Sequence, residues 1–366
     1  MRPVSNDLRN MNSTVTEKIN AGLTGAKTDS ASKIRAGIVG AGLMGRWHAD
    51  ALEKAGGDVL GVVDSDICRT DSFAANFPNV HRERELIKLL AARNLDVLHV
   101  CSPTPSHVQI AETALKEGIH LLIEKPIAQT SDETVKLYDL ASGHGALLCP
   151  VHQFVFQEGT VKAKKLLPRI GDLVHLEARI CSAGGTGLNT DGLDQTAADI
   201  LPHPLSLIQN FLGSDFSDID WSVLRPSHGE LRVHGQIGEK SLSIFISMNS
   251  RPTTNSFHLV GTGGTIHLDL FHGFSIYEPG KTSRTRKILH PFDLAFRNVS
   301  AAAFNLGRRT LRREPAYPGL RQLIQKFYSA VKGGTESPIT SAEAIAVAEI
   351  RDLLMDRAGI ASARRP

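Results

Sequence analysis

The run Gly40-Ala41-Gly42-Leu43-Met44-Gly45 carries the clearest chemistry in the chain. A glycine turn between a strand and a helix lets backbone N–H groups approach a diphosphate, and the helix start favours its charge. Gly40 is expected to make the tight turn, Gly42 to let the backbone come close to the pyrophosphate, and Gly45 to let helix and strand pack. Leu43 and Met44 then offer the free N–H groups of the first turn. Asp64 stands 19 residues beyond Gly45, at the end of the next apolar run. A carboxylate there accepts hydrogen bonds from ribose hydroxyls and repels a 2′-phosphate, so NAD is expected in preference to NADP. Asp66 strengthens the acidic reading, and Arg69 is the residue able to pair with a phosphate.

A second group of polar residues follows later strands. Ser102-Pro103-Thr104 and His107 come after the run Asp96–Cys101, and Glu124-Lys125-Pro126 ends the run Ile119–Ile123. In an open α/β sheet, ligands bind beyond the C-terminal ends of the strands. Ser102, Thr104, His107 and Glu124 are therefore expected on the cofactor side of one rim, together with Lys125. A lysine at the edge of a nicotinamide pocket can hold a substrate hydroxyl and stabilise a developing alkoxide. The competing reading is a solvated lysine closing a strand. His152 and Gln153, after the run Ala146–Val151, are further polar candidates at the pocket mouth, or simply a strand end in solvent.

The elements that must position these residues have a clear rhythm. Strand-like runs Ile34–Val39, Val59–Val63, Asp96–Cys101, Ile119–Ile123 and Ala146–Val151 alternate with helical patterns over Leu43–Ala55, Arg69–Asn76, Glu83–Ala92, Ser106–Glu117 and Asp132–Ser142. That alternation means βαβ units and a parallel sheet covered on both faces. After about Glu158 the pattern changes. Leu173–Cys181, Ile219–Leu224, Glu230–Ile237, Ser241–Asn249, Phe257–Gly261 and Thr265–Leu270 are strand-like, mostly joined by short turns that suit antiparallel pairing. Helical patterns cover Pro204–Leu212, Gly319–Lys332 and Ala342–Ala358.

Together, Ile38-Val39-Gly40-Ala41-Gly42, Gly45-Arg46-Trp47-His48, Asp96-Val97, Ser102-Pro103-Thr104, His107 and Glu124-Lys125-Pro126 resemble the Gfo/Idh/MocA oxidoreductases. The resemblance runs over most of residues 34–355 and is closer in the first half. It includes Gly261-Thr262-Gly263-Gly264-Thr265 and the helix start at Ser341–Glu343. It implies an α/β fold: a doubly wound Rossmann domain followed by an α+β domain with a large, open, mainly antiparallel sheet. It also implies a catalytic set joining Lys125 to an Asp-x-x-x-His element, here Asp199 and His203. These three, with the pocket-mouth candidates His152 and Gln153, are the residues expected to bind substrate. A neutral histidine suits proton removal from an alcohol near pH 7. Pro202 and Pro204 belong in a first helical turn, so His203 is expected at a helix start, with Asp199 just before it. This chain departs from the family in two places. Val155 stands where an arginine is frequent, and Ser206 where an aspartate is usual.

Length and composition set the frame. At about 150 residues per domain, 366 residues suggest two. The expected division is an N-terminal extension over 1–33, a dinucleotide domain over 34–153 and a substrate and oligomerisation domain over 154–366, with the C-terminal helix able to pack back on the first domain. Apolar residues at 41% and charged residues at 22% exclude a wholly disordered chain. A net charge of +3 gives no footprint for nucleic acid, and the cluster Arg308, Arg309, Arg312, Arg313 reads as a solvated face or subunit contact. No apolar run approaches the ~20 residues of a membrane span, so no membrane partner is expected. The four cysteines Cys68, Cys101, Cys149 and Cys181 lack metal-site spacing. No metal and a reducing, cytoplasmic location are the expectations. The glycine-rich stretch Ser182–Thr196 is expected to be a lid, and the apolar alternation of Ser241–Met248 to face either a dimer or tetramer contact or the domain's own helices. The functional expectation is hydride transfer between NAD(H) and a secondary alcohol of a sugar, polyol or nucleotide sugar. The alternatives are a non-catalytic NAD or sugar sensor and an enzyme that oxidises transiently with NAD kept bound.

Overall fold

The computed structural model describes residues 33–213, 216–280, 284–314 and 316–360; residues 1–32 of the expected extension lie outside these. The first half forms a six-stranded parallel sheet in the order β3-β2-β1-β4-β5-β6. Its strands are β1 (Ile34–Val39), β2 (Gly57–Val63), β3 (His81–Glu83), β4 (Val97–Val100), β5 (His120–Ile123) and β6 (Leu148–Pro150). Val97, Leu98, Val100, Leu121, Leu122 and Ile123 are wholly buried, as strands covered on both faces must be. The covering helices are α1 (Leu43–Lys54), α2 (Ile67–Ala74), α3 (Leu86–Ala92), α4 (His107–Lys116) and α5 (Ser131–Gly143). The helix expected from Glu83 begins only at Leu86, because His81–Glu83 pair with Gly61–Val63 as an edge strand.

Strand order reverses between β1 and β4, and this switch point is where such sheets open a ligand crevice. The loops after the two strands are laced together. The Cys101 N–H donates to the Val39 carbonyl at 2.8 Å, and the Gly40 N–H to the Val63 carbonyl at 2.8 Å.

The chain leaves the first domain through α6 (Glu158–Leu166) and builds a seven-stranded sheet in the order β13-β12-β11-β7-β10-β9-β8. β7 (Leu173–Cys181), β8 (Asp220–Leu224), β9 (Glu230–Ile237), β10 (Lys240–Ser247), β11 (Thr254–Gly261) and β12 (Gly264–Asp269) match the expected strands closely. All neighbours are antiparallel except β7 and β10. Leu242, Ile244 and Ile246 of β10 are buried in the domain's own core, so the apolar alternation there serves its own helices. On the opposite face, Phe245 lies under the Arg232 guanidinium, 3.8 Å from the ring centroid.

That core is closed by α6, α7 (Thr190–Ile200), α8 (Pro202–Leu212) and α11 (Ser341–Arg357). A reciprocal cap between Thr340 and Glu343 starts α11. The preceding helix, α10 (Leu320–Gly333), packs on the first domain, where Leu323, Ile324 and Phe327 join its core. α11 also packs back on that domain: Ala344 joins the same core and the Asp352 carboxylate accepts the Ser131 N–H at 2.6 Å. A third C-terminal helix, α9 (Arg284–Arg312), and the strand β13 (Phe274–Pro279) were not expected.

The expected lid over Ser182–Thr196 is overturned in its second half. Asn189 caps α7 by accepting the Gly192 N–H at 2.9 Å, and the helix holds the segment from Thr190 onward. Asp194 then anchors the helix. Its buried carboxylate accepts from Arg225 Nη1 at 2.7 Å and the Gly229 N–H at 2.8 Å, and lies 2.6 Å from His228 Nδ1. Replacing Asp194 with Ala leaves a buried N–H and a guanidinium unpaired, and should cost about 2–3 kcal/mol. Chemical unfolding followed by circular dichroism measures this; a loss below about 0.5 kcal/mol would mean the anchor is dispensable.

Candidate active site

At the glycine turn, the geometry separates three roles. Gly40 has φ +97°, and a Cβ there would fall 2.7 Å from the Cys101 backbone. A Cβ on Gly45 would fall 1.9 Å from the Gly40 carbonyl oxygen, so helix and turn touch only because it is glycine. At Gly42 a Cβ would meet nothing within 4 Å. Gly42 therefore faces open space at the start of α1, where the N–H groups of Leu43 and Met44 stand before the first intrahelical bond. This cradle, shaped by backbone and left open at Gly42, fits a dinucleotide diphosphate.

Asp64 lies beside it, half-buried at the end of β2. Its Oδ2 accepts the Ala41 N–H at 2.8 Å and its Oδ1 the Asp66 N–H at 3.0 Å. The carboxylate thus braces the glycine turn itself, a role the sequence reading did not assign. Asp66 caps α2 by accepting the Cys68 N–H, and Arg69 stands 3.4 Å from Asp66.

The loops after β4 and β5 are joined by His107. It is buried, with Nε2 2.7 Å from the Ser102 carbonyl oxygen and Nδ1 3.0 Å from that of Pro126. His107, expected to touch the cofactor, instead ties the two loops together. The Ser102 and Ser106 hydroxyls bond to each other at 2.7 Å, and Thr104 opens the short turn before α4.

Glu124 and Lys125 leave β5 in different directions. Glu124 Oε2 accepts the Lys125 N–H at 3.2 Å, while Lys125 Nζ donates to the Asp199 carbonyl at 2.9 Å. That second bond brings the lysine to the junction of α7 and α8. Asp199 sits in the last turn of α7; Pro202 is the first residue of α8 and His203 the second. The expected placement of His203 at a helix start is what the structure shows. The Asp199 carboxylate accepts Gln195 Nε2 at 2.8 Å and lies 3.5 Å from Arg351 Nη2. Buried Arg351, on α11, also donates to the Gln129 carbonyl, so three elements converge behind the carboxylate.

Electrostatics follows from burial around one cation. Burial, then the Lys125 charge and His152, hold His203 well below the usual imidazole range. Burial and Lys125 push His152 down to about 4. Burial lowers Lys125 as well, against the opposing charges of Glu124 and Asp199. His203 Nδ1 is buried with no hydrogen-bond partner among the described residues, and so is Gln153 Oε1. The His203 ring packs on Phe154, centroids 4.4 Å apart. At the two family departures, the Ser206 hydroxyl turns back to the His203 carbonyl at 3.0 Å, and Val155 packs against both cores.

Sequence reading missed a buried chain behind Glu124. Glu124 Oε1 lies 3.2 Å from His48 Nε2, His48 Nδ1 lies 2.9 Å from His99 Nδ1, and His99 Nε2 lies 2.8 Å from the Tyr328 hydroxyl. Burial raises the Glu124 carboxyl, but the His48 bond and the Lys125 charge outweigh it and hold the group below its usual value. An ionised carboxylate only accepts. One arrangement that satisfies every contact has Tyr328 donating to His99, His99 Nδ1–H to His48, and His48 Nε2–H to Glu124. Trp47 and Tyr317 were missed too. Their ring centroids lie 5.7 Å apart, and burial and Glu124 raise the Tyr317 phenol. Tyr317 has φ +48°, a conformation rare outside glycine that local packing must hold. Trp47, two residues past Gly45, was within reach of motif reading; Tyr317 and Tyr328 were not.

A switch-point crevice with a glycine cradle, joined to a second domain that brings Asp199 and His203 to its rim, defines a two-domain dinucleotide-binding protein. The family model for the oxidoreductase family with an NAD-binding Rossmann fold matches residues 34–152, and this N-terminal domain is a member of that family, Gfo/Idh/MocA. Inositol 2-dehydrogenase 4 of Saccharopolyspora erythraea is 29% identical over 121 residues, 32% of this chain and 36% of the relative. UDP-N-acetylglucosamine 3-dehydrogenase of Acidithiobacillus ferrooxidans is 31% identical over 153 residues, 37% of this chain and 46% of the relative. These matches span less than half the length of either curated relative. The fold extends further. The WlbA dehydrogenase of Bordetella pertussis, solved with NADH and UDP-GlcNAcA, superposes with a TM-score of 0.72 at 14% identity, covering 91% of this chain and 97% of that one.

Two measurements probe the site as built. Gly42→Val should unfold at the wild-type temperature, since its Cβ meets nothing, yet weaken NADH binding about tenfold or more by fluorescence titration. In imidazole 15N spectra, His99 should read as the Nδ1–H tautomer and His48 as Nε2–H. Tyr328→Phe, which strands His99 Nε2, should cost about 1–2 kcal/mol of stability.

Proposed function

We propose that the protein is an NAD-dependent dehydrogenase that oxidises a secondary alcohol of a sugar, polyol or nucleotide sugar. One observation carries this reading: Lys125 reaches across to the Asp199 carbonyl at 2.9 Å, beside a half-buried His203 whose buried Nδ1 has no partner among the described residues. A buried, unpaired imidazole nitrogen next to a half-buried cation is costly for stability and useful for chemistry. The named activities of the relatives, on inositol and on UDP-N-acetylglucosamine, support the substrate class. Asp64 at the cradle, and the pairing of Arg69 with Asp66, favour NAD over NADP.

The residues divide the work as follows. The Gly40–Gly45 turn and α1 hold the diphosphate, with Asp64 beneath the turn and facing the ribose. When bound, NAD supplies the hydride acceptor. His203 takes the hydroxyl proton as the carbon–hydrogen bond breaks. The Lys125 ammonium stabilises the oxygen while it carries negative charge. Asp199, held by Gln195 and Arg351, orients a substrate hydroxyl, and the open acceptor at Gln153 Oε1 suits a ligand rich in O–H donors. His152 keeps a neutral imidazole beside Lys125.

A panel of cyclic polyols, sugars and nucleotide sugars, followed by absorbance of reduced nicotinamide, tests the reading. His203→Ala should lower kcat about 10²–10⁴-fold while NADH still binds; undiminished turnover would refute its role. The pH profile has a definite sign. A base must be neutral, so activity holds above the His203 pKa and is lost as pH falls through it. Because that pKa is depressed, the acid limb of kcat/KM should lie below pH 6.5. Lys125 must stay protonated, and its lowered pKa should bring the alkaline limb below 10.5.

A further inference from the structure

The guanidiniums around the C-terminal end of β2 are not held alike. Three of them bond at α2 or its cap. Arg69 stands 3.4 Å from Asp66, and Arg82 Nη1 donates to Asp71 at 2.7 Å, so a carboxylate holds each of these. Arg46 Nη2 donates to the Ser72 hydroxyl at 3.0 Å, a neutral partner, and among the described residues no carboxylate pairs with it. Its place on the chain gives this difference a meaning. Arg46 follows Gly45, and its N–H donates to the Gly42 carbonyl at 3.2 Å in the first turn of α1. Its side chain crosses to α2, whose cap, Asp66, lies two residues past Asp64. The guanidinium thus flanks the loop 64–66, which Asp64 ties to the glycine turn through the Ala41 N–H. Arg46, Ser72 and residues 65–69 are all exposed, so this end of the crevice is open to a bulky substituent.

A lone carboxylate at the end of β2 turns away a ribose 2′-phosphate by charge. Here the carboxylates are matched. Each Asp64 oxygen accepts a backbone N–H, from Ala41 or Asp66, and Asp66 has Arg69 beside it. Arg46 adds a second guanidinium against the two acids. Its bond to Ser72 is a single exposed contact to a hydroxyl, made in competition with water. A phosphate offers the same fork two parallel, charge-assisted bonds. A ligand with a phosphate at that edge therefore outcompetes Ser72, while one with a plain hydroxyl leaves Arg46 where it is.

We propose that Arg46 sets how the crevice treats the ribose 2′ position: it leaves Ser72 to grip a 2′-phosphate, so NADP is accepted beside the preferred NAD. The proposal rests on the reading of the crevice as a dinucleotide site, and its test needs no turnover. The full-length protein is titrated with NADH and with NADPH, followed by nicotinamide fluorescence, as wild type and as Arg46→Ala, Arg46→Lys and Ser72→Ala. Wild type should bind both, NADH the tighter. Arg46→Ala should weaken NADPH about tenfold and NADH less than about twofold, the size of one exposed charge-assisted contact. Arg46→Lys keeps the charge and loses the fork, so it should fall between; Ser72→Ala should not weaken NADPH. The NADPH gap between wild type and Arg46→Ala should shrink in 0.5 M NaCl, because the contact is exposed to screening. Arg46 is exposed, so the alanine variant should keep the wild-type unfolding temperature. A variant that unfolds early is replaced by Arg46→Gln and judged by the same titrations. Wild type that binds NADH alone overturns the proposal, as does an Arg46→Ala change that weakens both dinucleotides equally or neither. Binding of neither dinucleotide removes the reading of the crevice as well.

Discussion

The bond from Lys125 Nζ to the Asp199 carbonyl, 2.9 Å long, is the contact on which the site's construction turns. Each end belongs to a different sheet. Lys125 stands on the loop that ends β5 of the parallel sheet, and Asp199 on the last turn of α7, which closes the mixed sheet. Without that contact the glycine cradle and the Asp199–His203 pair are two unrelated features. With it, one ammonium faces both the crevice and the imidazole. Arg351 secures the arrangement from behind, because it binds the Gln129 carbonyl of the first domain and stands 3.5 Å from Asp199 of the second.

Holding a lysine there requires support, since burial disfavours its charge. The chain Tyr328–His99–His48–Glu124 supplies that support. It ends on the carboxylate, where the His48 bond helps hold Glu124 below its usual value and so keeps a negative group one residue from Lys125. The four residues come from α10, β4, α1 and the loop after β5. The helix that opens at the glycine turn is therefore tied to the loop that carries the lysine. Cradle and cation are positioned by a single polar network inside an otherwise apolar core.

Much of this was legible in the chain because local patterns encode it. Apolar runs bounded by turn residues located the strands, since a strand buried on both faces has to be apolar throughout. The glycines declared themselves by type: a Cβ on Gly45 would sit 1.9 Å from a carbonyl oxygen. Pro202 placed His203 in a first helical turn because proline is tolerated there. What escaped was non-local or ambiguous in sign. Tyr328 lies 229 residues from His99, and no periodicity connects them. The stretch Ser182–Thr196 looked too glycine-rich for a helix, yet the Asn189 cap and the Asp194 anchor outweigh that propensity.

Burial around Lys125 also explains how one imidazole can serve as a base without being a standing cation. His203 and His152 are both depressed, with the Lys125 charge acting on each after burial. At neutral pH a proton from bulk water would add a second positive charge in a desolvated space, so His203 does not acquire one. In the proposed reaction the balance changes at a single moment. As the substrate hydroxyl yields its proton, the oxygen becomes negative beside Lys125, and the charge gained by His203 is matched within a few ångströms. The penalty that keeps His203 neutral at rest is cancelled only while an alkoxide exists. Proton uptake is thereby coupled to the step that needs it, and the depressed pKa is the condition for that coupling.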